Sequence, residues 1–373
     1  MVSVLALQLP AMGQASTEFL DTVYIREQIS KYESAGRSRR QPQLSDQEFA
    51  ELEREIPYTG FTPLTEMGPG QTYKGQDGGL YGSGSNNPPP AHQKAALEAV
   101  AKITPRDEDG NPSADGKIVL MGIGMSNTRI IFDMFKQMAE ADPGKADRVI
   151  LVNAAAGGQD ARAWADPTAD YGRQLNIPGK GEKGSAWDYA DAMLAAEGVT
   201  PAQVQAVWIY QALMNPGKRY GDFPGHAMLL KECIGVIVRE AKRRYPNLQI
   251  VFLSSRTYAG YAARDLNPEP YAYESAFAVR WLIQEQIDGS PRYNYDPAAG
   301  PVAAPVMVWG PYLWADGVRP RLSDGLTWQR EDFAPAPDGT HPSAMGARKA
   351  GQLLLDFFKT NELAKGWFLQ SSD

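Results

Sequence analysis

From Lys117 onward the chain alternates short apolar runs with amphipathic stretches, and this alternation constrains the fold more than any other property. The runs fall at 117–122, 148–152, 205–210, 249–254 and 305–309 and are dominated by aliphatic and aromatic residues. Runs of that length, bounded by polar or small residues, read as buried strands. Between and after them, apolar residues recur at helical spacing over 128–140, 187–197, 226–244, 270–287 and 343–359. Strands separated by helices require right-handed crossovers and a parallel sheet covered on both faces. The predicted fold is a three-layer α/β/α sandwich around a parallel sheet of about five strands.

In such a sheet every strand-to-helix loop opens on the same edge, so residues distant in sequence converge there. The first of these loops lies in Lys117-Ile-Val-Leu-Met-Gly122-Ile-Gly124-Met-Ser126-Asn127-Thr-Arg-Ile-Ile131. Ser126 is thereby expected just beyond a strand's carboxyl end and at a helix amino terminus, where first-turn N–H groups favour anions. Ser126 or Asn127 could equally serve only as a helix cap.

Composition narrows the partners. A net charge of -7 argues against nucleic acid, which demands clustered Lys and Arg. A local basic run, Arg37-Ser-Arg39-Arg40, sits in a polar lead and reads as solvated linker. No apolar run approaches membrane-spanning length. The single cysteine, Cys233, lies within an apolar helical pattern and is expected to pack rather than react. Residues 1–15 resemble the apolar part of a secretory signal without its basic start, which would imply a secreted or periplasmic protein, or else form a plain apolar strand. Residues 16–115, rich in Pro, Gly and polar side chains, read as an irregular arm with short helices at 46–55 and 91–103, ahead of one domain over 116–373. Within that arm, the acidic run from Asp107 to Asp115 lacks the Glu that would close a calcium loop and reads as a polar turn.

Only three histidines are available as bases. His92 and His226 open helices, and His226 is a reserve candidate. His341, in Asp338-Gly-Thr-His341-Pro-Ser343, follows the last strand and precedes the last helix, with an acid three residues away. A serine hydroxyl becomes nucleophilic when a base takes its proton, and a carboxylate fixes that base's tautomer. Ser126, His341 and Asp338 supply these parts. Donors for a developing oxyanion are also expected on this edge. Asn153-Ala-Ala-Ala-Gly157-Gly158 follows the second strand, and Tyr210-Gln211-Ala-Leu-Met-Asn215-Pro216 offers two side-chain amides after the third. An ordinary turn at Gly158, a buried polar Gln211 and a cap at Asn215 are the plain alternatives.

Gly124-Met-Ser126-Asn127 resembles the nucleophile block of the SGNH or GDSL hydrolases, especially the Gly-Gln-Ser-Asn form of sialate O-acetylesterase and acetylxylan-esterase relatives. Trp208-Ile-Tyr-Gln211-Ala-Leu-Met-Asn215 is similar to their Trp-x-Gln-Gly-Glu-Ser-Asn block, and Asp338-Gly-Thr-His341 to their closing Asp-x-x-His block. The ordered set spans roughly 117–359. It departs from the family at Met125, at Ala212 and Leu213, and in a longer 159–200 region. The resemblance implies a flavodoxin-like sheet and a serine esterase acting on carboxylic esters, short-chain acyl groups or O-acetyl groups on carbohydrate. It implies catalytic Ser126, Asp338 and His341, and an oxyanion hole from Ser126, Gly158, Gln211 and Asn215. No cofactor is implied, and no His/Cys set has metal-ligand spacing.

The aromatics expected near this edge, Trp164, Tyr171, Trp187, Tyr189, Tyr258, Tyr261, Tyr312 and Trp314, would suit sugar rings or aryl esters, although such residues are more often core than platform. Three rivals stand beside the esterase. One is a degenerate binding protein of the same fold. Another is an acyltransferase. The last is a dinucleotide-binding protein, to which Gly122-x-Gly124 points although Asn127 and Asn153 depart from the fingerprint.

Overall fold

The computed structural model describes residues 14–36, 58–169, 171–172 and 174–370. Five parallel strands form the central sheet: β1 (Ile118–Gly124), β2 (Val149–Asn153), β3 (Val204–Tyr210), β4 (Ile250–Ser254) and β5 (Val306–Trp309). Their order is β2-β1-β3-β4-β5, a flavodoxin-like arrangement. The order reverses between β1 and β3, and ligands bind outside the carboxyl ends of strands at such a switch point.

The helices are α1 (Gln14–Gly36), α2 (Pro90–Val100), α3 (Ser126–Glu140), α4 (Ala161–Ala165), α5 (Ala186–Ala196), α6 (Pro216–Arg219), α7 (Gly225–Arg244), α8 (Tyr271–Ile287), α9 (Ala344–Thr360) and α10 (Lys365–Phe368). The strands are buried along almost their whole length because helices cover both faces. α3 packs beside α9, and α7 packs beside α8.

One cross-sheet row shows how the sequence sets the α3–α9 layer. Asn153, Gly122, Trp208, Phe252 and Val308 are register partners. Phe132 of α3 stacks on Trp208 at 6.0 Å and 20°, and a Cβ on Gly122 would lie 2.5 Å from its ring. Phe252 meets Phe358 of α9 edge-on at 5.4 Å. Glycine at 122 is thus a packing requirement, and Gly124 is likewise pressed on Thr128.

The lead is more ordered than a wrapped arm. Over 14–36 it is helical, with Ile25 and Ile29 buried on one stripe and Tyr24 donating to Glu232 of α7. Two apolar residues one turn apart are too weak a period to announce a helix in sequence. The expected helix at 46–55, the Arg37–Arg40 run and residues 1–13 lie outside the described residues. Around 107–115 the chain closes on itself, Asp107 accepting the amides of Asp109 and Asn111. Among the described residues no helix is long and apolar enough to cross a membrane. Cys233 is fully buried in α7, and burial pushes its thiol pKa up.

Candidate active site

A single residue, Met125, joins β1 to α3, so Ser126 is the first residue of the helix. Thr128 holds this turn. Its Oγ1 accepts the Met125 amide at 3.1 Å and donates to the Tyr210 carbonyl at 2.5 Å, tying the turn to the end of β3. A Cβ on Gly124 would sit 2.1 Å from Thr128 Oγ1 and 2.4 Å from Tyr210 O, so only glycine admits this clamp. Asn127 Nδ2 donates to the Thr340 carbonyl at 2.9 Å, fastening the turn to the loop that carries His341.

That second loop is self-bonded. Ala334 N donates to His341 O, and Gly339 N to Ala334 O. Gly339 takes φ 62° against Tyr261, whose carbonyl oxygen a Cβ would approach to 1.7 Å. Asp338 Oδ1 accepts the amides of Thr340 (2.8 Å) and His341 (2.9 Å), while Oδ2 lies 2.7 Å from His341 Nδ1. A carboxylate at Nδ1 makes that nitrogen the donor and leaves Nε2 as acceptor. His341 Nε2 stands 2.8 Å from Ser126 Oγ. Burial opposes ionisation of Asp338. The two amides and the imidazole outweigh it, holding the carboxyl below its ordinary range. The His341 side chain is 28% exposed, so the relay is reachable from solvent.

The loop after β2 continues alongside β1, with Ala154 and Ala156 amides donating to the Gly122 and Gly124 carbonyls. It brings Gly157 beside the nucleophile turn, where a Cβ would lie 4.0 Å from Ser126 Cβ. Gly158 follows with φ 78°. Among the described residues neither glycine's amide has an acceptor within the protein. The sequence singled out Gly158, and the structure sets Gly157 against Ser126.

Gln211 is buried, its Nε2 3.5 Å from Gln159 O and its Oε1 accepting the Ala212 amide at 3.3 Å. Asn215 adopts φ 52° before Pro216 and makes no side-chain capping bond. No hydrogen bond joins either amide to Ser126 among the described residues. Both loops are instead locked together by Asp160, which caps α4, pairs with buried Arg162 at 2.6 Å and accepts the Met214 amide at 3.0 Å. Thr128 and Asp160 escaped the sequence reading. A hydroxyl three residues into the helix and an Asp before Ala-Arg-Ala were their signals.

Most of these aromatics are core. Trp164, Trp187, Tyr258, Tyr261, Tyr312 and Trp314 are all buried, leaving only Tyr171 and Tyr189 partly exposed. Trp164 lies beneath the site: its Nε1 donates to the Gly124 carbonyl at 3.2 Å, and Trp187 stands edge-on to it at 4.8 Å. His226 is buried 2.6 Å from Glu274, and His92 donates to or accepts from nothing near the site, its Nε2 lying 2.8 Å from Met307 O. Neither reaches Ser126.

No family model and no curated protein matches this chain. Among solved structures it is similar to a protein described as a GDSL-like lipase from Parabacteroides merdae, at 11% identity over 68% of this chain and 97% of that one, with a TM-score of 0.35. It is also similar to a carbohydrate acetylesterase from Xanthomonas citri, at 13% identity over 67% of this chain and 56% of that one, with a TM-score of 0.35.

Proposed function

We propose that this protein is a carboxylic ester hydrolase using Ser126 as nucleophile, His341 as general base and acid, and Asp338 as the group that orients and stabilises the imidazole. The carrying observation is the continuous relay from Ser126 Oγ to His341 Nε2 (2.8 Å) and from His341 Nδ1 to Asp338 (2.7 Å), at the switch-point edge. Ser126 Oγ attacks the ester carbonyl while His341 takes its proton. His341 then returns that proton to the leaving alcohol, and water, deprotonated by the same imidazole, releases the acyl group.

The oxyanion would rest on the Ser126 amide at the α3 amino terminus and on a glycine amide of the loop after β2. Gly157 and Gly158 are both candidates, since neither amide has an acceptor among the described residues. Gln211 and Asn215 remain proposed side-chain donors, and removing one donor from such a set costs about 3–4 kcal/mol of transition-state stabilisation. Short acyl groups, including O-acetyl groups on carbohydrate, are the substrate class we favour.

The test is a panel of acetyl to octanoyl p-nitrophenyl esters and acetylated sugars, with native protein and Ser126→Ala side by side. Native protein should turn over the shorter esters, and Ser126→Ala should lose roughly 10⁴-fold or more in kcat. Equal hydrolysis by both would remove Ser126 from the chemistry.

A further inference from the structure

Beyond β4 the chain runs Ser254-Ser255-Arg256 along the same edge at which Ser126 and His341 meet. Arg256 is 1% exposed, and its Nε, Nη1 and Nη2 are all buried without a hydrogen-bond acceptor among the described residues. Arginine stays ionised even in an interior, and an unpaired buried ion is costly to fold. What the guanidinium has is the face of Tyr210, with the ring centre 5.3 Å away. That ring is itself fixed, stacked on Trp208 at 5.6 Å and 5° and held at its hydroxyl by Thr257.

Tyr210 is also the residue that anchors the nucleophile turn. It pairs with Gly124 across β1 and β3, and its carbonyl accepts the Thr128 hydroxyl that holds Met125. The carboxylates of the neighbouring loops are committed elsewhere: Glu269 to Trp314, Ala259 and Tyr273, and Asp316 to Thr59 and Gly60. Among the described residues the guanidinium on Tyr210 therefore has no carboxylate partner.

We propose that Arg256 is a positioning residue whose fixed charge, acting through space, stabilises the oxyanion formed during acylation of Ser126; this rests on the esterase reading above. In that step Ser126 Oγ bonds to the carbonyl carbon, its proton passes to His341 Nε2, and the carbonyl π pair moves onto the oxygen. Negative charge exists there only from the transition state onward, so a preorganised cation in a dry environment favours it over the neutral bound ester.

The experiment compares native protein, Arg256→Met and Arg256→Lys. It reads p-nitrophenyl acetate kinetics, melting temperature and inhibition by phenylboronic acid, whose boron bonds to Ser126 Oγ as a tetrahedral anion while the serine proton passes to His341. Arg256→Met should lower kcat roughly tenfold or more and leave KM within about twofold. It should weaken boronate inhibition by a similar factor and melt no lower than native, because an unpaired buried ion has been removed. Arg256→Lys should recover part of kcat. Native kcat in Arg256→Met overturns the proposal, as does a kcat loss that follows a lowered melting temperature with boronate affinity unchanged. Native protein that hydrolyses no ester is a separate outcome, which refutes the esterase reading and this inference with it.

Discussion

Asp338 spends both oxygens on the loop it belongs to, two backbone amides on one and the imidazole on the other. An amide in its place would turn a donor toward His341 Nδ1, favouring the tautomer whose Nε2 carries the proton and cannot accept one from Ser126. Asp338→Asn should therefore lower kcat about 10⁴-fold while the melting temperature moves by only a few degrees, measured on one preparation by kinetics and thermal denaturation. Wild-type turnover in this variant would show that the carboxylate is only a turn-former. A second carboxylate shapes pH dependence rather than chemistry. Burial pushes Glu269 up to about 7, against the donors Trp314 Nε1, Ala259 N and Tyr273 N that favour its charged form. Between its ordinary 4.5 and about 7 the folded protein keeps a proton that the unfolded chain has released. Its stabilising contribution is thus complete below that window and lost as pH rises through it, by up to roughly 3 kcal/mol. Urea midpoints from pH 4.5 to 8 should fall less steeply in Glu269→Gln than in native protein; identical slopes would refute the assignment.

At the scale of elements, the turn between β1 and α3 depends on Thr128 as much as on Ser126. Thr128→Val keeps the shape but leaves the Met125 amide and the Tyr210 carbonyl unpaired in a dry site, at about 2–4 kcal/mol. It should lower both the melting temperature and kcat, and Thr128→Ser should restore most of each. A native-like Thr128→Val would show that strand pairing alone sets the turn. Elements of this kind were readable from the chain. The strands at 117–122 and 205–210 were visible as apolar runs because both faces are covered, and they became Ile118–Gly124 and Val204–Tyr210. Asp338 and His341 were readable because they share one turn, and Ser126 because a strand, small residues and a helical period meet there. Gly157 beside Ser126 was not, since which of two adjacent glycines faces a neighbour depends on how the loop after β2 pairs with β1. The aromatics stayed open between core and platform for a related reason: sequence shows that a ring is near an edge, while only packing decides whether it points out to substrate or down beneath the turn, as Trp164 does.

Across the whole molecule, the segment from 58 to 89 acts as a strap over α8 and β5. Asp316 accepts the Thr59 and Gly60 amides, Tyr312 OH accepts the Leu64 amide, and Trp309 Nε1 donates to the Leu80 carbonyl. Its middle is held by Glu274 of α8, whose buried carboxylate accepts from Tyr73 OH at 2.6 Å and Lys74 Nζ at 2.8 Å and meets His226 Nε2 of α7 at 2.6 Å. Burial opposes the charge on Glu274, and these partners outweigh it to keep the carboxyl below its ordinary range. One side chain thus joins the strap to two helices, and none of its contacts reaches Ser126. Glu274→Ala strands a buried imidazole and frees Tyr73, which should cost about 3–5 kcal/mol. Brief trypsin digestion should then cut at Lys74 faster than it does in the native protein. Glu274→Gln, retaining an acceptor, should fall between the two. Because the network lies away from the relay, kcat per folded molecule should stay at the native value. Loss of kcat in Glu274→Ala at a temperature where circular dichroism shows it fully folded would instead mean that the strap helps shape the catalytic edge.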